Sequence, residues 1–355
     1  MARSHRKAAA RARIVRANVS MAARPARRAA RGILLVLCAE GALSAGLIPR
    51  TAFAFVQQGG NPLAGKRLYV DPNSNAKRQA ETMRRSRPQD AALLAQIADK
   101  PVAKWLGGWV GDIGREVESA VSTITGSGSL PIFVAYNIPG RDCGQYSAGG
   151  ANGDDAYREW IKSFANGLRG RPAIVILEPD ALPQLDCLKG DGAQQRIALL
   201  REAVQTLKKQ RAYVYIDAGN ARWKSAEVMA ARLKQVDIAT ADGFSLNVSN
   251  YMATSANVAY GEKVSKLLGG KHFIIDTSRN GAGTASDWCN ARGQALGVSP
   301  TTNTGHPLVD AFLWIKQPGE SDGTCQVGPR AGSWWTEIAL ELSRAASTLS
   351  KTVGR

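Results

Sequence analysis

The chain has 355 residues, with 46 Lys and Arg against 29 Asp and Glu, a formal charge of +17. An apolar share of 44% with 21% charged residues excludes a disordered, collagen-like or polytopic membrane chain. The length suits two domains or one α/β barrel, and the basic excess raises a nucleic-acid reading that the distribution of charge must answer.

Residues 1–54 hold 11 of the basic residues and one acid, Glu40; the remaining 301 residues carry 35 basic and 28 acidic, a net +7. The basic stretch precedes an apolar run over 32–48 and then Thr51-Ala52-Phe53-Ala54. Basic, apolar and small residues in that order are expected of a secretory signal, cleaved after Ala54 and of ordinary length if the true start is Met21. The apolar run is short and broken by Glu40, which argues against a permanent membrane span. The charge is thus export chemistry: no nucleic-acid partner, and no membrane contact after signal removal. Residues 55–355 are expected to form one secreted, extracellular, monomeric domain.

From there the chain alternates short apolar runs with helical stretches. The runs are 68–70, 102–106, 132–136, 173–177, 212–216, 243–248, 272–276 and 311–315. They are nearly continuous in Val, Ile, Phe and Tyr, as parallel strands buried on both faces require. In the stretch 154–170, Tyr157, Trp160, Ile161, Phe164 and Leu168 recur at helical spacing. Asp154 or Asp155 is expected as the N-cap, with Gly170 past the C-terminus. Residues 193–210 repeat the design. The pattern predicts an α/β fold, a single distorted, incomplete β/α (TIM-like) barrel of seven or eight parallel strands. A doubly wound open sheet lacks support, since no GxGxxG or Walker loop follows an early strand.

Polar residues follow strand after strand: Tyr136, Arg141 and Asp142; Glu178 and Asp180; Asp217; Asn247, Ser249, Asn250 and Tyr251; Asp276 and Arg279; Lys316, Glu320 and Asp322. Any one of these could be a turn or cap residue. Together they predict a site at the carboxyl face of a barrel. Asp180 is the sharpest candidate. A carboxyl between an apolar strand and a neighbouring anion such as Asp142 has its pKa raised and can serve as a general acid. Tyr69, Trp223 and Trp288 lie in turns, where flat rings can carry the C–H faces of sugars. Trp105, Trp109, Trp334 and Trp335 read as core.

Cys38 falls in the apolar leader. Cys143, Cys187, Cys289 and Cys325 remain, and an even number in an exported chain favours two disulfides in any of three pairings. Sequential pairing would close loops of about 40 residues, stabilising by ~4 kcal/mol each on the chain-entropy model. No CxxC or Cys/His cluster suggests zinc. Beyond the leader only His272 and His306 remain, so carboxylates are better placed for catalysis than a histidine triad.

The motifs NIPGRDC, SAGG, LEPDAL, YIDAGNARW, NVSNY, DTSRNG, DWCN, SPTTNTG and WIKQPGESDGTC, in this order, resemble glycoside hydrolase family 6, from about Asn61 to about Leu349. The resemblance implies a secreted cellulase that cuts β-1,4-glucan with inversion on an incomplete barrel. By motif position, Asp180 matches the catalytic acid, Asp142 the aspartate that perturbs it and relays protons, and Asp322 the residue proposed as base. Tyr136 matches the tyrosine that distorts the sugar, and Ser147 the holder of the nucleophilic water. The resemblance further implies sugar binding by Lys316, Glu320, Trp223 and Trp288, and sequential disulfides. Asn247, Asp217, Tyr69 and Arg141 complete the expected substrate contacts. Asn220 stands where many members have histidine, which puts one contact in doubt. Acid–base chemistry with carboxylates and water calls for no metal or cofactor. Only Gly323 and Thr324 separate Asp322 from Cys325, so short loops and an open cleft are expected, hence internal cutting of cellulose and related glucans rather than exo-acting release of cellobiose.

Overall fold

The computed structural model describes residues 60–353; the expected signal, its cleavage point and the alternative start lie outside the described residues. Among these, seven strands form one parallel sheet in sequence order: β1 (Lys104–Leu106), β2 (Ile132–Ala135), β3 (Ile174–Leu177), β4 (Tyr213–Asp217), β5 (Gly243–Leu246), β6 (His272–Asp276) and β7 (Val309–Leu313). The helices are α1 (Asn75–Met83), α2 (Pro88–Ala98), α3 (Ile113–Gly126), α4 (Asp154–Gly167), α5 (Gly192–Lys208), α6 (Ala226–Gln235), α7 (Thr254–Leu267) and α8 (Thr336–Val353).

Alternate strand residues face opposite sides. Ile132, Val134, Ile174, Ile176, Tyr215, Ile274, Ala311 and Leu313 share one buried cluster. Residues of β3 can meet those of β6 and β7 only if the sheet curls on itself, so this cluster fills a barrel interior. The other face, with Phe133, Val175, Leu177, Val214, Ile216, Phe244 and Phe273, packs beneath helical residues such as Tyr157, Ile161, Phe164 and Leu199. No ladder joins β1 to β7 among the described residues. A backbone bond from Ala103 N–H to Trp314 O (3.0 Å) and one from the Trp105 indole to Ile315 O (2.8 Å) hold that seam.

The barrel reading holds with seven strands, the lower of the two expected numbers. The run at 68–70 contributes a single parallel bridge, Leu68 to Leu130, because its neighbours supply no further pairing. The expected cap of α4 is also corrected. Gly153 is the N-cap, without a side-chain bond, and Asp154 and Asp155 lie inside the first turn, where their negative charge complements the positive end of the helix dipole. The burial expected from helical spacing is found at Tyr157, Ile161, Phe164 and Leu168.

Candidate active site

Strand register assembles the site. Ala135 pairs with Leu177, Leu177 with Ile216, Asp217 with Ser245 and Leu246 with Ile275. The residues that follow therefore emerge side by side at the carboxyl ends. Several adopt left-handed backbone: Asp142 (φ 57°), Glu178 (φ 48°), Asp180 (φ 70°) and Asn247 (φ 66°). Each such residue costs of the order of 1 kcal/mol, held in place by its surroundings. Glu178 is one of those holds. Its buried carboxylate accepts from the backbone N–H of Asn137 and Ile138 at 2.9 Å, tying the end of β3 to the turn after β2. Buried Arg196 of α5 grips the same pair of loops, donating to the carbonyls of Pro139, Gly140 and Ala181.

A cleft of about 1380 Å³ opens over these ends. Asp142, Asp180 and Asp322 line it, as do Tyr136, Arg141, Ser147, Lys316 and Glu320. So do the aromatic candidates Tyr69, Trp223 and Trp288, the last half exposed. Asn220, the departure from the resembled pattern, also borders it.

Two expected contacts do not face the cleft. Asp217 is buried beneath Asp180, where its Oδ2 accepts from the Asp180 N–H (2.9 Å) and the Gly219 N–H (3.1 Å). Asn247 is fully buried, donating to Asp276 O (2.8 Å) and accepting from Met252 N–H (3.0 Å). Both are fasteners between adjacent strand ends. The tryptophans are corrected in the other direction. Trp109, expected in the core, is 56% exposed, and Trp105 and Trp334 are only half-buried; all three line the cleft. Trp335 is half-buried, with the Arg292 guanidinium 5.7 Å from its ring.

The carboxyls have different environments. Burial, and then the charges of Asp217, Asp142 and Asp322, push Asp180 well above the ordinary range. No hydrogen bond among the described residues engages its side-chain oxygens. Asp142 is raised by burial, against the Ser147 N–H that donates to its Oδ2 (2.6 Å), the Gln184 amide and Arg141. Asp322 behaves oppositely. Burial would raise it, yet Arg279 and Lys316 bring it below the usual value. Its oxygens accept from Arg279 (2.9 Å to each), the Tyr251 hydroxyl (3.0 Å) and the Asn290 N–H (2.9 Å). Burial lifts Glu178 and Asp217 to about 7.

Arg141 donates to Ser147 O (2.8 Å) and Tyr136 O (3.0 Å), and its guanidinium lies 4.8 Å from the Tyr136 ring and 5.1 Å from the Trp109 ring. It braces the loop that carries Asp142 and Ser147. Sequence reasoning gave no role to Arg196, Gln184, Tyr146 or Asn290. Arg196 and Gln184 lie inside helical turns, where nothing in the local pattern marks them.

The cysteines pair 143–187 and 289–325, with Cα–Cα distances of 6.2 and 6.3 Å. The first staples the Asp142 loop to the loop after Asp180, the second the Trp288 loop to the Asp322 loop. Tyr146 joins the two stapled regions, its ring 6.0 Å from that of Trp288 and against Gly323, where an added Cβ would lie 2.5 Å from it. Among the described residues no group of three or more His, Cys, Asp or Glu is arranged to hold a metal ion, and no helix is long and apolar enough to cross a membrane.

Residues 63–346 match the model of the Glycosyl hydrolases family 6. Endoglucanase A of Cellulomonas fimi is 46% identical over 281 residues, 79% of this chain and 61% of the relative, so this chain spans less than two thirds of that protein's length. Endoglucanase 1 of Streptomyces halstedii is 44% identical over 288 residues, covering 78% of this chain and 88% of the relative. The structure of the endoglucanase Cel6 from Mycobacterium tuberculosis, in complex with methyl-cellobiosyl-4-deoxy-4-thio-β-D-cellobioside, superposes with a TM-score of 0.77 at 46% identity, covering 81% of this chain and all of that one. A cellobiohydrolase of the same fold, Cel6A from Chaetomium thermophilum, is more distant at 26% identity and a TM-score of 0.67. With its curled parallel sheet and carboxylate-lined cleft, the chain belongs to the glycosyl hydrolases of family 6.

Proposed function

We propose that this chain is a secreted, monomeric endo-β-1,4-glucanase that hydrolyses internal bonds of cellulose and related glucans with inversion. The observation that carries the reading is Asp180: a carboxyl raised by burial and by three neighbouring carboxylates, in a long cleft walled by indole and phenol rings. Aromatic platforms suit a polymer of flat sugars, and a protonated carboxylic acid suits a glycosidic oxygen. The greater identity to proteins named endoglucanases supports internal cutting.

In this mechanism Asp180 donates its proton to the leaving oxygen as the bond breaks through an oxocarbenium-like state. A water on the opposite face of the ring attacks, and its proton passes towards Asp142 beside Ser147. Asp142 suits proton acceptance better than Asp322. Asp322 is already committed to Arg279, Tyr251 and Asn290, and its lowered pKa makes it a weak base. Its fixed negative charge instead complements the cationic transition state. Tyr136 stays neutral, because burial and the charges of Asp180 and Asp142 raise its hydroxyl well above the ordinary value. Its ring packs edge-on against Trp105, with 5.2 Å between centroids.

The test compares viscosity loss with the appearance of reducing ends on carboxymethylcellulose. The wild type thins the solution rapidly, and Asp180→Ala loses at least ~100-fold in rate, the ordinary contribution of a general acid. Proton NMR of fresh digests of a soluble cello-oligosaccharide shows the α-anomer first. Slow thinning with steady cellobiose release overturns internal cutting, and initial β-anomer overturns inversion.

A further inference from the structure

We propose that Asn290 is a positioning residue of this site: its side chain grips the turn 321–325 at three points and holds the Asp322 carboxylate in place at the cleft wall. The inference rests on the reading of Asp322 as a fixed negative charge and deepens it.

Asn290 follows Cys289 in the connection between β6 and β7 and is buried. Its Oδ1 accepts from the Asp322 N–H at 2.8 Å, and its own N–H donates to Asp322 Oδ2 at 2.9 Å. The two residues are thus paired in both directions, main chain to side chain. From the other end of the amide, Nδ2 donates to Gly323 O at 2.8 Å and to Cys325 O at 3.0 Å. One buried amide therefore serves three residues of one turn. Asn290 sits at φ 48°, a left-handed conformation that asparagine adopts more readily than most residues. Gly328 closes over it: a Cβ there would crowd Nδ2, Gly323 O and Ser321 Oγ.

The adjacent 289–325 disulfide does not do this by itself. One S–S link sets the distance between two loops but lets the turn pivot about it. Bonds from Asn290 to residues 322, 323 and 325 remove that rotation. The other partners of Asp322 act on its carboxylate: Arg279 at 2.9 Å, Tyr251 at 3.0 Å and Lys316 at 3.7 Å. Asn290 is the partner that also takes the main-chain N–H. A developing positive charge feels the carboxylate through a field that falls with distance, so a displaced turn weakens the stabilisation. The amide is neutral, and it orders the turn without a third cation to cancel that field. The charged and titratable groups around Asp322 are Arg279 after β6, Tyr251 after β5, Lys316 and Glu320 after β7, and Asp180 after β3.

The test uses Asn290→Gly, which keeps the left-handed backbone and its N–H but removes the amide. Gly328→Ala is the milder variant, crowding Nδ2 with the side chain still present, and it decides the question if Asn290→Gly does not fold. Two probes are titrated: a cellobiose-derived iminosugar, cationic in its ring, and a neutral thio-linked cello-oligosaccharide. In Asn290→Gly the cationic probe binds about tenfold more weakly and the neutral one within about twofold of the wild type. There kcat falls roughly tenfold with KM within about twofold. Gly328→Ala shows the same pattern at about threefold. Asp322→Asn, the reference, loses the cationic probe further. Equal losses on both probes, or no loss on either, overturn the proposal. Carbon-13 titration of the Asp322 carboxyl, assigned with Asp322→Asn, reads the displacement without turnover. Its midpoint rises by about one pH unit in Asn290→Gly as the carboxyl moves away from Arg279. An unchanged midpoint overturns the proposal as well. A wild type inert on β-1,4-glucan overturns the proposed function instead, and the carboxyl midpoint still decides the role of Asn290.

Discussion

Asp322 and Arg279 form a buried ion pair, 5% and 2% exposed at their side chains. Removing one partner of such a pair leaves a charge uncompensated in the interior. Asp322→Asn is therefore expected to cost roughly 3 kcal/mol, seen as a lower unfolding midpoint in urea. The pH sign follows from its lowered pKa. The contribution of Asp322 is complete above its unfolded value, near 3.8, and is lost as pH falls through the lower folded value. At this scale the sequence revealed the chemistry of single positions well. Asp180 was legible because an apolar strand ends three residues before it. Asp217 and Asn247 were misplaced as substrate contacts because their partners, Asp180 and Asp276, are 37 and 29 residues away and reach them only through strand register. Trp109 was misplaced as core because a tryptophan beside two glycines says nothing about which wall it will join.

Among the elements, the loops after β2 and β3 act as one stapled unit. The 143–187 disulfide joins them across a sequence separation of 44, and Arg196 and Glu178 fasten them beneath. Gly150 lets the loop after β2 return closely on itself: its φ is 104°, and a Cβ there would sit 1.9 Å from Ile138 O. The double variant Cys143→Ser, Cys187→Ser is expected to lose about 4 kcal/mol on the chain-entropy estimate. It should lose kcat at temperatures where it remains folded, since Asp142 and Asp180 are then held by fewer ties. Calorimetry and initial rates at 25 °C check both parts; a variant that melts lower but keeps the wild-type kcat would mean that Arg196 and Glu178 suffice. Alternation of strands and helices was legible from hydrophobic period. The failure of 68–70 to become a full strand was not, because pairing depends on neighbours rather than on local apolarity.

Across the whole molecule, the carboxyl end of the barrel gathers acids that fold with raised pKa values: Asp180, Asp217, Glu178, Asp276, Asp142 and Glu320, each with burial as its largest cause. A raised acid binds more protons in the folded state than in the unfolded, so its contribution is full below the unfolded value and fades as pH rises through the folded one. For Glu178 that window runs from 4.5 to about 7, and for Asp217 from 3.8 to about 7. The unfolding temperature is accordingly expected to fall by roughly 5 °C between pH 5 and pH 8, with a flatter slope in Glu178→Gln, as scanning calorimetry would record. A temperature that rises over this range would show that the paired acids, not the buried ones, govern stability.

The sequence by itself determined the alternation that makes a parallel barrel, the carboxylates that end its strands and the family motifs they sit in. These are local properties: apolar period, residue type and order along the chain. Only the tertiary structure decided which of those polar residues face the cleft and which lock its floor. It also decided that Asp322 is held charged while Asp180 is driven neutral, and that Arg196 serves the site from a position without a motif. Burial and hydrogen-bond partnership are set by groups far apart in the chain, from Asn247 and Asp276, 29 residues apart, to Tyr251 and Asp322, 71 apart. Those meet only when the register of the curled sheet brings the strand ends together.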